Sequence, residues 1–166
     1  GSLVAYLVLN RTNGNHFGIW GIVIVVILCT LVGAVTGILH VKARIASFIV
    51  TYAVGCIMAG AAVLVYNSNP IQVTDPMFVK ISQGKFLQIP YITLISFVIF
   101  AIGAILLKYT AFGRAVYAIG DNETATRSAG INVDLIKIKV FSLCACTACL
   151  AGVLQCVRLK LGQSSL

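Results

Sequence analysis

Charge is scarce in this chain. Of its 166 residues only 10% are Asp, Glu, Lys or Arg, and just four are acidic. Soluble domains carry about 25%, so a chain that is also 60% hydrophobic, with a mean hydropathy of +1.02, is no ordinary water-soluble domain. Histidine is nearly missing as well, with His16 and His40 placed away from the carboxylates Asp121, Glu123 and Asp134. Intramembrane proteolysis, metal chemistry and proton-coupled transport call for ionisable groups within apolar spans, where they are costly and usually functional. The spans hold essentially none, so no catalytic, metal-binding or cofactor-binding residue is expected, and a neutral cargo is favoured over a charged one. The three prolines all fall within residues 67–90, which leaves the apolar runs free of helix breakers.

Some abundances carry less than they suggest. The net charge of +8 does not mark a nucleic-acid binder, because the basic residues stand singly between apolar runs, without a clustered stripe or interleaved aromatics. In a membrane protein such an excess reports loop topology. Six cysteines (29, 56, 144, 146, 149 and 156) all lie in apolar stretches, where a free thiol behaves as a small hydrophobe; the Cys146–Cys149 pair with Cys144 is spread around a helix and makes no ligand set.

The apolar runs divide into four spans: Phe17–Leu39, Ile45–Tyr66, Tyr91–Leu107 and Val140–Val157. The first, with 23 uncharged residues, reaches about 34 Å, enough for a hydrocarbon core of ~30 Å. Pro90 is a natural start for the third. Ahead of them SLVAYLVL is too short to cross and reads as the end of a helix that begins earlier, while GQSSL at the C-terminus stops in a loop. The expected fold is therefore all-α, a polytopic transmembrane helix bundle of about four full spans plus a partial N-terminal one, forming a single transmembrane domain over residues 1–166. His40–Arg44, with Lys42 and Arg44, is a tight cytoplasmic turn; alternation then puts 67–90 outside, 108–139 inside and 158 onward outside. The 67–90 loop has room for a short strand or helix.

Small residues recur at four-residue spacing, Gly33 with Gly37, Gly55 with Ala59 and Ala148 with Gly152, which lets helix backbones approach closely. Neutral polar groups inside the spans include Thr30, Thr51, Thr93 and Ser96. They either line a path for a hydroxylated solute or bond to a carbonyl one turn back.

Half of the charge sits in residues 108–139, the expected cytoplasmic loop, around the polar stretch Gly113–Asn132, which ends in AIGDNETATRSAGIN. Asp121 is a suitable N-cap, Asn122–Ala129 can make two turns, and Gly130 suits the position after the helix. So short a helix is marginal alone and needs a partner surface. It lacks the Trp, Phe or Leu face that would rest on lipid. Ala125 and Ala129 form a flat small face beside Glu123, Thr126 and Arg127, which favours docking to a protein.

The run Phe112–Leu143, with AIGDNETATRSAGINVDLIKIKVFSL as its greater part, resembles the cytoplasmic loop and following helix of inner-membrane permeases of bacterial ABC importers for ribose and related monosaccharides. GAVTGILHVKARIASFIVT and the opening GSLVA are similar to other parts of that family, and the resemblance covers most of the chain as the middle of a longer permease. It implies a multi-pass protein of the bacterial plasma membrane that translocates a monosaccharide of the ribose, xylose or galactose type. The implied partners are an ABC ATPase that binds and hydrolyses ATP, an extracytoplasmic sugar-binding protein and a second permease copy. It also implies that Asn122, Glu123, Thr124, Ala125, Thr126, Arg127, Ser128, Ala129 and Gly130 form the ATPase-coupling helix. Relative to the general importer pattern of Glu-Ala-Ala, three residues, then Gly, Thr124 replaces the first Ala and Gly130 comes one position late. The competing expectation is an ATP-independent carrier or channel for a small neutral solute. A scaffold ranks below both, and an enzyme last.

Overall fold

The computed structural model of the protein describes residues 18–66, 71–72, 85–86, 89–159 and 161–162. Among the described residues there are six helices: α1 (Gly18–Ala43), α2 (Ser47–Tyr66), α3 (Tyr91–Tyr109), α4 (Ala111–Asp121), α5 (Glu123–Ser128) and α6 (Val133–Leu159). Four two-residue strands accompany them: β1 (Ile71–Gln72), β2 (Lys85–Phe86), β3 (Ile89–Pro90) and β4 (Leu161–Gly162). Four helices, α1, α2, α3 and α6, are long and apolar enough to cross a membrane. The all-α transmembrane bundle is thus the observed architecture, and the partial span expected at residues 2–9 lies outside the described residues.

The spans keep their few hydroxyls satisfied within the helix. Thr30, Thr36, Thr51 and Ser96 each donate to the carbonyl four residues earlier, at 2.7–2.9 Å. This matters because hydrocarbon offers no water to do so. Helix α1 runs on past Leu39 to Ala43, with His40 and Lys42 in its last turn, where cations oppose the negative end of the helix dipole. The turn to α2 is accordingly three residues, 44–46, and Arg44 takes a left-handed φ of 52° to make it. The His40 ring closes the turn: Nδ1 lies 2.8 Å from the Ile45 carbonyl, and since a carbonyl only accepts, that nitrogen carries the proton.

The main seam lies between α1 and α6. Val25, Cys149, Val153 and Val157 are buried together, with Ile22, Val26, Cys29 and Ile92 packed against them. Cys156 is buried too, and all six cysteines are free. Further along, a Cβ at Gly33 would sit 2.5 Å from the Ala145 Cβ and 2.8 Å from the Phe141 carbonyl oxygen; one at Gly37 would sit 2.9 Å from the Ile138 Cα. The glycine pair is what lets the two backbones meet. Gly55, by contrast, faces nothing within 4 Å, so its pairing with Ala59 is unused among the described residues. Phe48, Tyr52 and Leu64 on α2 and Phe97 and Phe100 on α3 point outward, an exposure that suits lipid.

Two expected boundaries moved. The last span begins at Val133 rather than Val140, because Asn132 caps it, its Oδ1 accepting from Leu135 N at 3.2 Å, and Asp134 favours the first turn. At 27 residues the helix is longer than a ~30 Å hydrocarbon core requires, which leaves room for its charged first turns in water. Residues 108–139 are likewise no simple loop: they hold α4, α5 and the start of α6. The break between α3 and α4 is made at Thr110, whose hydroxyl donates to the Leu106 carbonyl and accepts from Gly113 N at 3.2 Å. Gly113 is buried here, with the Leu107 carbonyl standing where a side chain would begin. At the opposite end, β1 pairs antiparallel with β4 and β2 with β3. A short strand therefore does form in the long loop, and it ties that loop to the end of α6.

Candidate functional site

Helix α5 is six residues long and capped at both ends. Its N-cap is Asn122, not Asp121: Asn122 Oδ1 accepts from Ala125 N at 3.0 Å and from Thr124 Oγ1 at 2.7 Å. Asp121 is consumed as the last residue of α4, so the extended Asn122 (φ −157°) ends one helix and starts the next. At the other end Gly130 has φ +82°; its N–H donates to the Arg127 carbonyl, and Ile131 N donates to that of Thr126. This is the paired pattern of a Schellman C-cap, which requires a residue tolerant of positive φ. Gly130 thus holds the position expected of it.

The side chains of α5 divide into two sets. Thr126, 6% exposed, faces inward, and its hydroxyl lies 2.9 Å from the Ala118 carbonyl of α4 and 2.8 Å from that of Asn122. It offers nothing to a partner. Thr124, Ala125, Ser128 and Ala129 are exposed. The hydroxyl of Ser128 is spent on the Thr124 carbonyl, so the outward surface is small and largely neutral.

Glu123 and Arg127 do not flank that surface as free polar contacts. Arg127 Nη2 lies 2.8 Å from Asp134 Oδ1 and 3.6 Å from Glu123 Oε1, while Lys137 Nζ lies 2.8 Å from Glu123 Oε2. The hydrogen bond from Lys137 holds the Glu123 carboxyl below its ordinary 4.5, the charges of Lys137 and Arg127 adding to it and partial desolvation opposing. Asp134 and Lys137 are the members that sequence reasoning missed. The signal was available: two charges three apart on α6 match two charges four apart on α5. A polar cleft of about 470 Å³ separates this group from the α1–α2 turn, with His40, Arg44 and Ala46 on its far wall. The turn and α5 therefore share one end of the bundle, as alternation requires.

Of Thr30, Thr51, Thr93 and Ser96, only Ser96 lines a groove of about 960 Å³ between α3 and α6, where Thr147, Gln155, Arg114 and Arg158 also lie. Thr30 and Thr51 are back-bonded on other helices, and Thr93 is exposed on α3. The structure does not gather these four into one wall. Among the described residues no group of three or more His, Cys, Asp or Glu is placed to hold a metal.

A bundle of four apolar spans with a capped, water-facing short helix at one end defines a multi-pass membrane protein of permease type. Residues 1–165 match the family described as "Branched-chain amino acid transport system / permease component", and the chain belongs to that family. The ribose import permease protein RbsC of Escherichia coli (strain K12) is 36% identical over 136 residues, 80% of this chain and 42% of that protein. The L-arabinose ABC transporter permease protein AraH of Azospirillum brasilense is 35% identical over 161 residues, 97% of this chain and 47% of that protein. RbsC of Bacillus subtilis (strain 168) is 36% identical over 129 residues, covering 76% and 40%. The chain spans less than half the length of these relatives. No solved structure matches. With its family and its four apolar helices, this is a multi-pass inner-membrane protein.

Proposed function

We propose that the chain is part of the membrane-spanning permease subunit of an ABC importer that carries a monosaccharide of the ribose, xylose or galactose type across the bacterial plasma membrane. In this reading ATP is bound and hydrolysed by a separate ATPase subunit, an extracytoplasmic binding protein delivers the sugar, and a second permease copy completes the path. The observation that carries it is α5: six residues, capped at both ends, with its inward hydroxyl satisfied and its Ala125–Ala129 face open to water. A helix this short needs surroundings to hold it, and a small neutral face admits a close-fitting partner.

The names of the relatives support sugar as cargo, and the spans agree. An amino acid brings an ammonium and a carboxylate, which want charged or strongly polar counterparts at membrane depth. Residues 18–39, 47–66, 91–107 and 140–157 hold no Asp, Glu, Lys, Arg or His.

The test replaces Ala125 by Arg in the complete transporter and measures ATPase co-purification and sugar uptake. Loss of both is expected, since a guanidinium cannot enter a socket shaped for a methyl group. Unchanged values for both would remove the docking role, and uptake by the permease without ATP would replace the reading with a carrier.

A further inference from the structure

Four side chains at the cytoplasmic end alternate in charge and are joined by three ion pairs, the ring being closed between Asp134 and Lys137 only by the turn of α6 that carries both. Glu123 and Arg127 stand one turn apart on α5, and Asp134 and Lys137 stand about one turn apart on α6. Arg127 meets Asp134 at 2.8 Å, Lys137 meets Glu123 at 2.8 Å, and Glu123 and Arg127 are 3.6 Å apart on their own helix. Each charge of α5 thus touches an opposite charge on both sides of it. We propose that this ring sets the angle between α5 and α6, which makes its members positioning residues for transport and not contacts to the ATPase. The inference rests on the coupling role proposed for α5.

The covalent link fixes the two helix ends but not the angle between them. Gly130, at φ +82°, and Ile131 bond back to α5 while Asn132 caps α6, and none of these bonds runs from one helix to the other. On its other side α5 is joined to α4 through Asn122, which caps both helices, and through the Thr126 hydroxyl, which bonds the Ala118 carbonyl. The ring is the tie between the side chains of α5 and α6, and α6 is the element worth moving. Its backbone lies against Gly33 and Gly37 of α1, and its Phe141 ring stands 5.3 Å from the His40 ring at the end of α1. Packing that tight is displaced as a unit rather than compressed. A shift of α5 held rigidly to α6 therefore reaches the α1–α6 seam, whereas a shift of α5 on a slack link is lost in the link. The polar cleft beside the ring gives its members room to move together.

The ring's members are partly exposed, from 29% for Lys137 to 56% for Arg127. Pairs of this kind contribute little to global stability, so breaking the ring leaves a folded protein and the effect can be read in transport. The experiment uses the complete transporter in vesicles, with three variants: Lys137→Glu, Asp134→Arg, and the fourfold inversion Glu123→Lys, Arg127→Glu, Asp134→Arg, Lys137→Glu, which restores alternation with every sign reversed. Three quantities are read: ATPase co-purification, ATP hydrolysis, and sugar imported per ATP hydrolysed. The expected result is that both single variants keep the ATPase and its hydrolysis but import about tenfold less sugar per ATP, and that the fourfold variant recovers most of the loss. Single variants that import normally would overturn the proposal, and so would a fourfold variant no better than they are. Loss of the ATPase from the fourfold variant would also overturn it, by showing that these charges face the partner. An unmodified transporter that retains no ATPase would instead remove the docking reading beneath it.

Discussion

Replacing Gly33 by Ala adds one methyl group at the tightest point of the α1–α6 seam. The new carbon would lie 2.5 Å from the Ala145 Cβ and 2.8 Å from the Phe141 carbonyl oxygen, whereas comfortable contact is about 3.5–4.0 Å. The helices must therefore part by roughly 1 Å, which weakens dispersion contacts along the seam as well as at the new methyl. Overpacking of this kind costs about 1–3 kcal/mol, and the better helix propensity of Ala returns up to ~1 kcal/mol. The net is a destabilisation of about 1–2 kcal/mol. Gly120→Ala is the matched control, since Gly120 is exposed on α4 with nothing within 4 Å of the added carbon, and there the propensity gain stands unopposed. Thermal unfolding of the detergent-solubilised transporter, followed by size-exclusion chromatography, should separate the two variants by roughly 5 °C, Gly33→Ala below the parent and Gly120→Ala at or above it. A Gly33→Ala protein as stable as the parent would refute the close approach of α1 and α6.

Three further outcomes are expected. Gly113→Ala should disrupt the α3–α4 join, because the Leu107 carbonyl stands where the methyl would go; well-folded protein recovered in detergent should fall sharply, and normal recovery would contradict the geometry. The Glu123 carboxyl should titrate below 4.5 by NMR, and Lys137→Met should move its midpoint upward, since the Lys137 hydrogen bond is the largest cause of the lowering. A group with a depressed native pKa contributes its stabilisation fully above the unfolded value and loses it as pH falls through the native one, so the α5–α6 tie should persist through pH 4.5 and loosen only at lower pH. Asn122→Ala removes the acceptor for Ala125 N and Thr124 Oγ1 and should cost the helix about 1 kcal/mol, seen as faster amide exchange confined to α5 and its cap.

How much of this was legible in the sequence follows from what each signal depends on. The spans were visible because about 18 or more apolar residues in a row have few alternatives to crossing a bilayer, and Gly33 with Gly37 was visible because small residues four apart share a face. The ends of the spans were less so: Lys42 and the run Asp134–Lys139 looked like loop by charge, yet helices continue past hydrocarbon into water when they are capped and their charges suit the dipole. Asp121 and Asn122 are both competent caps, and the choice between them was made by α4, a helix over Ala111–Asp121 that had been read as part of the polar stretch Gly113–Asn132. The matching spacing of Asp134 and Lys137 hinted at the chain's own partners for Glu123 and Arg127, but the pairing itself is fixed by the angle between α5 and α6, a tertiary quantity. Gln155 and Thr147 share a groove with Ser96, while Thr30 and Thr51 do not, for the same reason.

The central claim is that the exposed face of α5 meets an ATPase. Its most direct measurement places the photocrosslinker p-benzoylphenylalanine at Ala125 in the complete transporter, with Tyr117, exposed on α4, as the comparison site. The account predicts a crosslink from position 125 to the ATPase subunit whose yield changes when ATP is added, because a coupling contact must differ between the two states it links. A position 125 that crosslinks to no ATPase, or no better than position 117 and without regard to ATP, would contradict it.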